Sequence, residues 1–167
     1  ALTANTVGSR AVAVGYAALQ KQNPASAADS YNTAIGHASG GEITTGVNNT
    51  FVGGLAGDAT DDGAGNTAMG FAALSSNCGD GNVAVGSSAG ISITGASNTV
   101  MGNAAGYAVT SGSNNLLLGK DAGRSGSPGG NIATGSNEMV LGDENITQAH
   151  IQVDWTVASD ARDKTDF

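Results

Sequence analysis

The chain has 167 residues, 27 of them Gly and only 2 Pro, and a formal net charge of −8. No Lys or Arg occurs between Asp29 and Gly119, which argues against a groove for nucleic acid and against binding to an anionic membrane surface, since both need clustered cations. No apolar run approaches the ~20 residues of a membrane-spanning helix, and glycine falls far short of the every-third-residue spacing of collagen.

Ala1 to Ser9 lack the charged start and apolar segment of a secretion signal. They are already repeat-like, so the chain is expected to belong to a longer polypeptide. From Arg10 one phrase recurs: an Asn, three mostly apolar residues, a Gly, then an Ala-Gly or Ala-Leu pair. After an imperfect copy at Arg10 to Gly15 it reads Asn32-Thr33-Ala34-Ile35-Gly36, Asn49-Thr50-Phe51-Val52-Gly53 and Asn66-Thr67-Ala68-Met69-Gly70. It continues as Asn82-Val83-Ala84-Val85-Gly86, Asn98-Thr99-Val100-Met101-Gly102 and Asn115-Leu116-Leu117-Leu118-Gly119, with an imperfect last copy at Glu138 to Gly142. The key glycines fall at 15, 36, 53, 70, 86, 102, 119 and 142, spaced by 21, 17, 17, 16, 16, 17 and 23 residues. A constant central period with stretched ends predicts stacked coils with atypical caps, because each coil can bury its apolar side only against a neighbour.

Two glycines per period would interrupt a helix at roughly 1 kcal/mol each, so the pattern predicts an all-β chain. At ~3.3 Å per residue each Asn-to-Gly pentad is a short strand, with the Gly as the corner that takes positive φ. The preceding Asn is expected to tolerate the same region, and a second short strand after the Ala-Gly pair to complete a flattened coil. The fold predicted is a parallel β-roll of about eight coils.

Within a pentad the second and fourth residues share one face and the third points the other way. We expect Thr33 and Ile35, Thr50 and Val52, Thr67 and Met69 and their equivalents to form a narrow core. Ala34, Phe51, Ala68, Ala84, Val100 and Leu117 at the third position are also too apolar for a wet surface. A thin roll with so few apolar side chains per coil is marginal against the entropy of ordering its backbone. The third-position residues are therefore expected to meet their copies in a self-associated, most simply trimeric, assembly.

Between the copies, Gln20–Tyr31 and Asp58–Gly65 insert extra residues on what is expected to be one exposed side, the place to look for ligand contact. Ser125–Gly135, with Pro128-Gly129-Gly130, is the longest break and is expected to mark the end of the regular roll. Asp58, Asp61 and Asp62 lack a regular Ca²⁺ ligand pattern and read as a flexible acidic loop. His37 and His150 read as surface histidines, and the lone Cys78 as a free thiol in a loop. The recurrent Asn residues 32, 49, 66, 82, 98 and 115 read as a stacked amide ladder. No recurring carboxylate pair provides a glycosidase context, and no cofactor or metal site is expected.

The carboxyl end changes character: Met139–Leu141 and His150–Val157 read as closing strands, followed by the charged run Ser159-Asp160-Ala161-Arg162-Asp163-Lys164-Thr165-Asp166-Phe167. This divides the chain into a repeat domain at 1–135, a closing segment at 136–158 and a junction at 159–167.

The repeated phrase resembles the left-handed parallel β-roll heads of trimeric autotransporter adhesins and similar repeats of bacteriophage tail fibres. The run from Val140-Leu141-Gly142 through Trp155-Thr156 to Ser159–Asp166 resembles the junction before the C-terminal intramolecular chaperone of phage tailspikes and tail fibres. That resemblance implies a homotrimer of the virion, outside the cell, bound to a bacterial surface receptor or glycan. It also implies self-cleavage of the full precursor between Ser159 and Asp160, with Ser159 attacking its own peptide carbonyl and Lys164 assisting as base. The chaperone body would follow Phe167, so the chain itself is expected to be inert as an enzyme. Two other classes stand beside this one. A bacterial adhesin head would continue into a coiled-coil stalk, and an ice-binding solenoid would need an outward Thr-x-Thr row, against which threonines 33, 50, 67 and 99 are expected to point inward.

Overall fold

The computed structural model describes residues 1–6, 8–24 and 29–150; the expectations for residues 151–157 and for Ser159, Asp160 and Lys164 lie outside them. The described residues form a parallel β-solenoid without helix. Its strands are β1 (Val12–Val14), β2 (Thr33–Ile35), β3 (Thr50–Val52), β4 (Thr67–Met69), β5 (Val83–Val85), β6 (Thr99–Met101), β7 (Leu116–Leu118) and β8 (Met139–Leu141). They stack in sequence order as one sheet, each parallel to the next, with equivalent residues of the repeat directly opposite. About six regular turns open at the Asn residues, and longer windings carry the sheet to β1 and β8. The sheet crosses the Ser125–Gly135 break, where Leu116 still pairs Met139. That segment is a bulge in the longer last winding, between the regular turns and β8.

Among the described residues each winding has one strand and no second one. The return side is a run of turns, because the corner glycine is followed by two residues in the left-handed region, such as Ala38 (φ 53°) and Gly40 (φ 57°), which extended backbone cannot contain. Bonds between windings continue there regardless, with Ala38 N–H donating to Tyr16 O at 2.8 Å and Glu42 N–H to Asp58 O at 3.0 Å. The corner itself requires glycine: Gly36 has φ 139°, and a Cβ on it would fall less than 3.0 Å from the Gly53 carbonyl. Before the strand, the left-handed residue is the one preceding the repeated Asn, as at Asn48 and Asn114, and not that Asn itself.

The two faces of the strand are the reverse of the expectation. Ala34, Phe51, Ala68, Ala84, Val100 and Leu117 are all 0% exposed inside the single chain, so they form its core and cannot meet other copies. Threonines 33, 50, 67 and 99 and their fourth-position partners lie on the outer face, half-buried or exposed. The interior is narrow because the return side presses directly on the third-position residues, with Ala56, Ala73, Ala89, Ala105 and Ala122 also buried.

Volume is shared across each winding. Phe51 fills its own winding, and a Cβ on Gly57 would sit 2.5 Å from its Cε2; one winding on, Ala68 is small and Leu74 occupies the position equivalent to Gly57, fully buried. Gly40 lies where Leu19, Phe51 and Ile43 converge, so the large side chains of adjacent windings fill the space beside Ala34. A core this thin reaches close packing by trading one large residue against one glycine.

Asparagine closes the other end of each strand. The Oδ1 of Asn32, Asn49, Asn66, Asn82, Asn98 and Asn115 accepts from the backbone N–H of the next winding at 2.8–3.1 Å. The Nδ2 reaches across the coil to a backbone carbonyl, Asn49 to Gly63 at 2.8 Å and Asn98 to Gly112 at 2.9 Å. The ladder thus alternates side-chain oxygen with main-chain N–H. Asn66 breaks the rule, its buried Nδ2 having no partner.

Candidate functional site

Two surface features stand out, and the first is an uncharged ribbon on the outer face of the sheet. Its fourth-position column is Val14, Ile35, Val52, Met69, Val85, Met101, Leu118 and Leu141, apolar in all eight strands. Beside it runs the second-position column, Thr at four strands and Val, Leu or Met at the others. Ile35, Met69 and Met101 are 41%, 47% and 48% exposed. Strands ~4.8 Å apart make this ribbon about 34 Å long, a contiguous apolar surface on a scale common at interaction sites. Along the adjoining corner, Tyr16 stacks on His37 with ring centroids 5.5 Å apart, and Phe71 stands 58% exposed.

Sequence reasoning placed these residues in the interior because both faces of the pentad are apolar. The distinguishing signal is the exchange of volume between third-position residues and the return side: Phe51 with Gly57 against Ala68 with Leu74. Only positions sharing one interior show such compensation.

The second feature is a cleft of about 240 Å³ where the bulged winding meets the chain after β8. Lys120, Asp121 and Arg124 form one side, Asp143, Glu144 and Asn145 the other, and the Ser125–Ser127 bend one wall. Asp121 bridges Arg124 at 2.6 Å and Lys120 at 3.1 Å, and these hydrogen bonds, Arg124 first, hold its carboxyl below the usual range. Asp143 is likewise lowered by the Asn145 backbone N–H, 2.9 Å away, and then by the Asn145 side chain. Arg124 also lies over the Tyr107 ring at 4.9 Å. Sequence reasoning marked the long break but none of these six residues. The available clue was that Lys120 and Arg124 are the only cations between Lys21 and Arg162.

Asp58 and Asp61 accept hydrogen bonds from Ser75 and Thr44 of neighbouring windings, and Asp62 is exposed. Among the described residues no three His, Cys, Asp or Glu side chains gather as metal ligands. Cys78 is a free thiol in the loop between β4 and β5, as expected, but its side chain is buried in the core, 2% exposed; its Sγ lies 3.4 Å from Thr60 Oγ1, and burial pushes the thiol pKa up. His37 belongs to the corner stack and His150 is exposed. Compared with known proteins, no family model, no curated protein and no solved structure matches this chain.

Proposed function

We propose that this chain is a structural and host-attachment segment of a trimeric bacteriophage tail fibre or spike. In this reading its roll is left-handed, and three copies pack through the outer ribbon around a shared axis. The observation that carries it is the ribbon itself: an apolar column repeated at every strand, free of charge on a chain of net charge −8, pointing away from a core that is already full. Copies of the same solenoid have the same spacing between strands, so ribbon can interlock with ribbon along its whole length, and closed rotational symmetry would bury all copies equally. The resemblance of the Ser159–Lys164 run to a self-cleaving junction favours a fibre over an adhesin head. Cleavage there would be a maturation step of the full precursor and not turnover.

Equilibrium sedimentation of the chain tests the assembly. A trimer at low micromolar concentration is expected, and a folded monomer would remove this reading. Mass spectrometry of a precursor carrying downstream sequence tests the junction: a mature end at Ser159 is expected, and unchanged processing in Ser159→Ala would refute self-cleavage. An ice-binding role gains from the outward threonines, but Val83 and Leu116 interrupt their column and the fourth position is never Thr. No Thr-x-Thr row exists to match a lattice.

A further inference from the structure

We propose that the cleft between Lys120–Ser127 and Asp143–Asn145 binds one ring of an uncharged saccharide; this rests on the attachment reading and gives it a location. Regular windings close in 16 or 17 residues, whereas the winding from Gly119 to Gly142 takes 23. The sheet continues in register across it, so the extra residues are not needed to continue the stack, and what they build is one wall of the cleft. The only cations between Lys21 and Arg162 are gathered there.

The charges define the ligand. Two cations face three carboxylates, and the bridges of Asp121 to Lys120 and Arg124 already offset much of the positive charge that would draw an anion, while leaving some N–H groups of both unpaired with it. The slight negative surplus disfavours a sugar acid or a phosphate. What remains free is a mixture: the unused N–H groups of Lys120 and Arg124 as donors and the Glu144 carboxylate as acceptor. Glu144 lies against Gly126 so closely that any Cβ there would displace it. Neighbouring hydroxyls of a sugar ring both donate and accept, so one ring can satisfy donors and acceptors set side by side without bringing a charge to be neutralised. Size sets the limit: 240 Å³ lies below the ~300–1,000 Å³ of pockets for larger ligands, which fits one ring with the rest of a chain in solvent.

Saturation-transfer NMR on the full chain, with D-glucose, D-galactose, N-acetyl-D-glucosamine and D-glucuronate as probes, tests the proposal. Transfer to at least one neutral sugar is expected, weaker to glucuronate, and reduced at least tenfold in affinity by Glu144→Gln and by Lys120→Ala with an unchanged circular dichroism melt. Gly126→Ala, which displaces Glu144 while leaving every charge in place, should weaken binding in the same direction. Absence of transfer from all three neutral sugars, a preference for glucuronate, or binding indifferent to both charge substitutions would overturn it. Retention of labelled chain on bacterial cells separates the two readings. Cells bound equally by wild type and the Glu144→Gln variant overturn the cleft and leave attachment standing, while a chain that neither self-associates nor binds cells removes both.

Discussion

Asn98 shows how much one side chain does in a fold without wide layers. Its Oδ1 accepts from Asn115 N–H at 3.1 Å, and its Nδ2 donates to Gly112 O at 2.9 Å and to Asn82 Oδ1 at 3.1 Å. Replacing it with Ala leaves buried main-chain groups unpaired, at about 1–3 kcal/mol each. Asn66 carries an orphaned Nδ2, so its removal also relieves a buried donor. In urea melts Asn98→Ala should lose about 2–4 kcal/mol and Asn66→Ala about half as much. Cys78 gives a pH-dependent counterpart. Burial raises its folded pKa above the unfolded value, so its contribution to stability is full below the ordinary thiol pKa and is lost as pH rises through the raised one. A disulfide-exchange reagent at pH 8 should label it slowly in the native chain and at once in denaturant; rapid native labelling would contradict its core position.

At the scale of the winding, strand and return side act as one packing unit. Phe51→Ala empties the largest fully buried side chain among the described residues and should cost about 3–5 kcal/mol. Adding Gly57→Leu to that variant copies the Ala68–Leu74 arrangement of the next winding. Burying the Leu is worth ~1.5–3 kcal/mol against about 1–2 kcal/mol for its left-handed backbone, so the double variant should recover on the order of 1 kcal/mol. Gly57→Leu with Phe51 retained should be strongly destabilising, since the two would occupy the same space. Thermal melts of the three variants check the order, and a double variant less stable than Phe51→Ala alone would refute the shared-volume account.

For the whole molecule the outer ribbon is the proposed contact between copies. Met69→Lys combined with Met101→Lys puts two charges where copies are proposed to meet, and leaving such charges buried and unpaired is prohibitive. The expected result is a roughly threefold fall in sedimenting mass, from trimer to monomer, with the β spectrum retained because neither side chain enters the core. Ala34→Lys should instead unfold the chain, since Ala34 is fully enclosed. If the ribbon variants sediment like the wild type, the contact lies elsewhere.

Period, parallel stacking, glycine corners and a ladder of asparagines were legible in the sequence alone, because each follows from a local constraint repeated at fixed spacing, such as positive φ at Gly36; that the Asn49 oxygen takes the next main-chain N–H came from the structure. The strand face that turns inward was not. Thr33 and Ile35 are no less plausible as core than Ala34 when the pentad is considered by itself. Only closure of the winding, which brings Ala56, Gly57 and Leu74 against the third-position residues, fills the interior and sends the larger column outward. The cleft likewise needed tertiary structure, since Arg124 and Glu144 come together only when the winding between them bulges and the sheet continues past it. Local backbone geometry is written in neighbouring residues, whereas inside and outside are decided by which distant segments compete for the same volume.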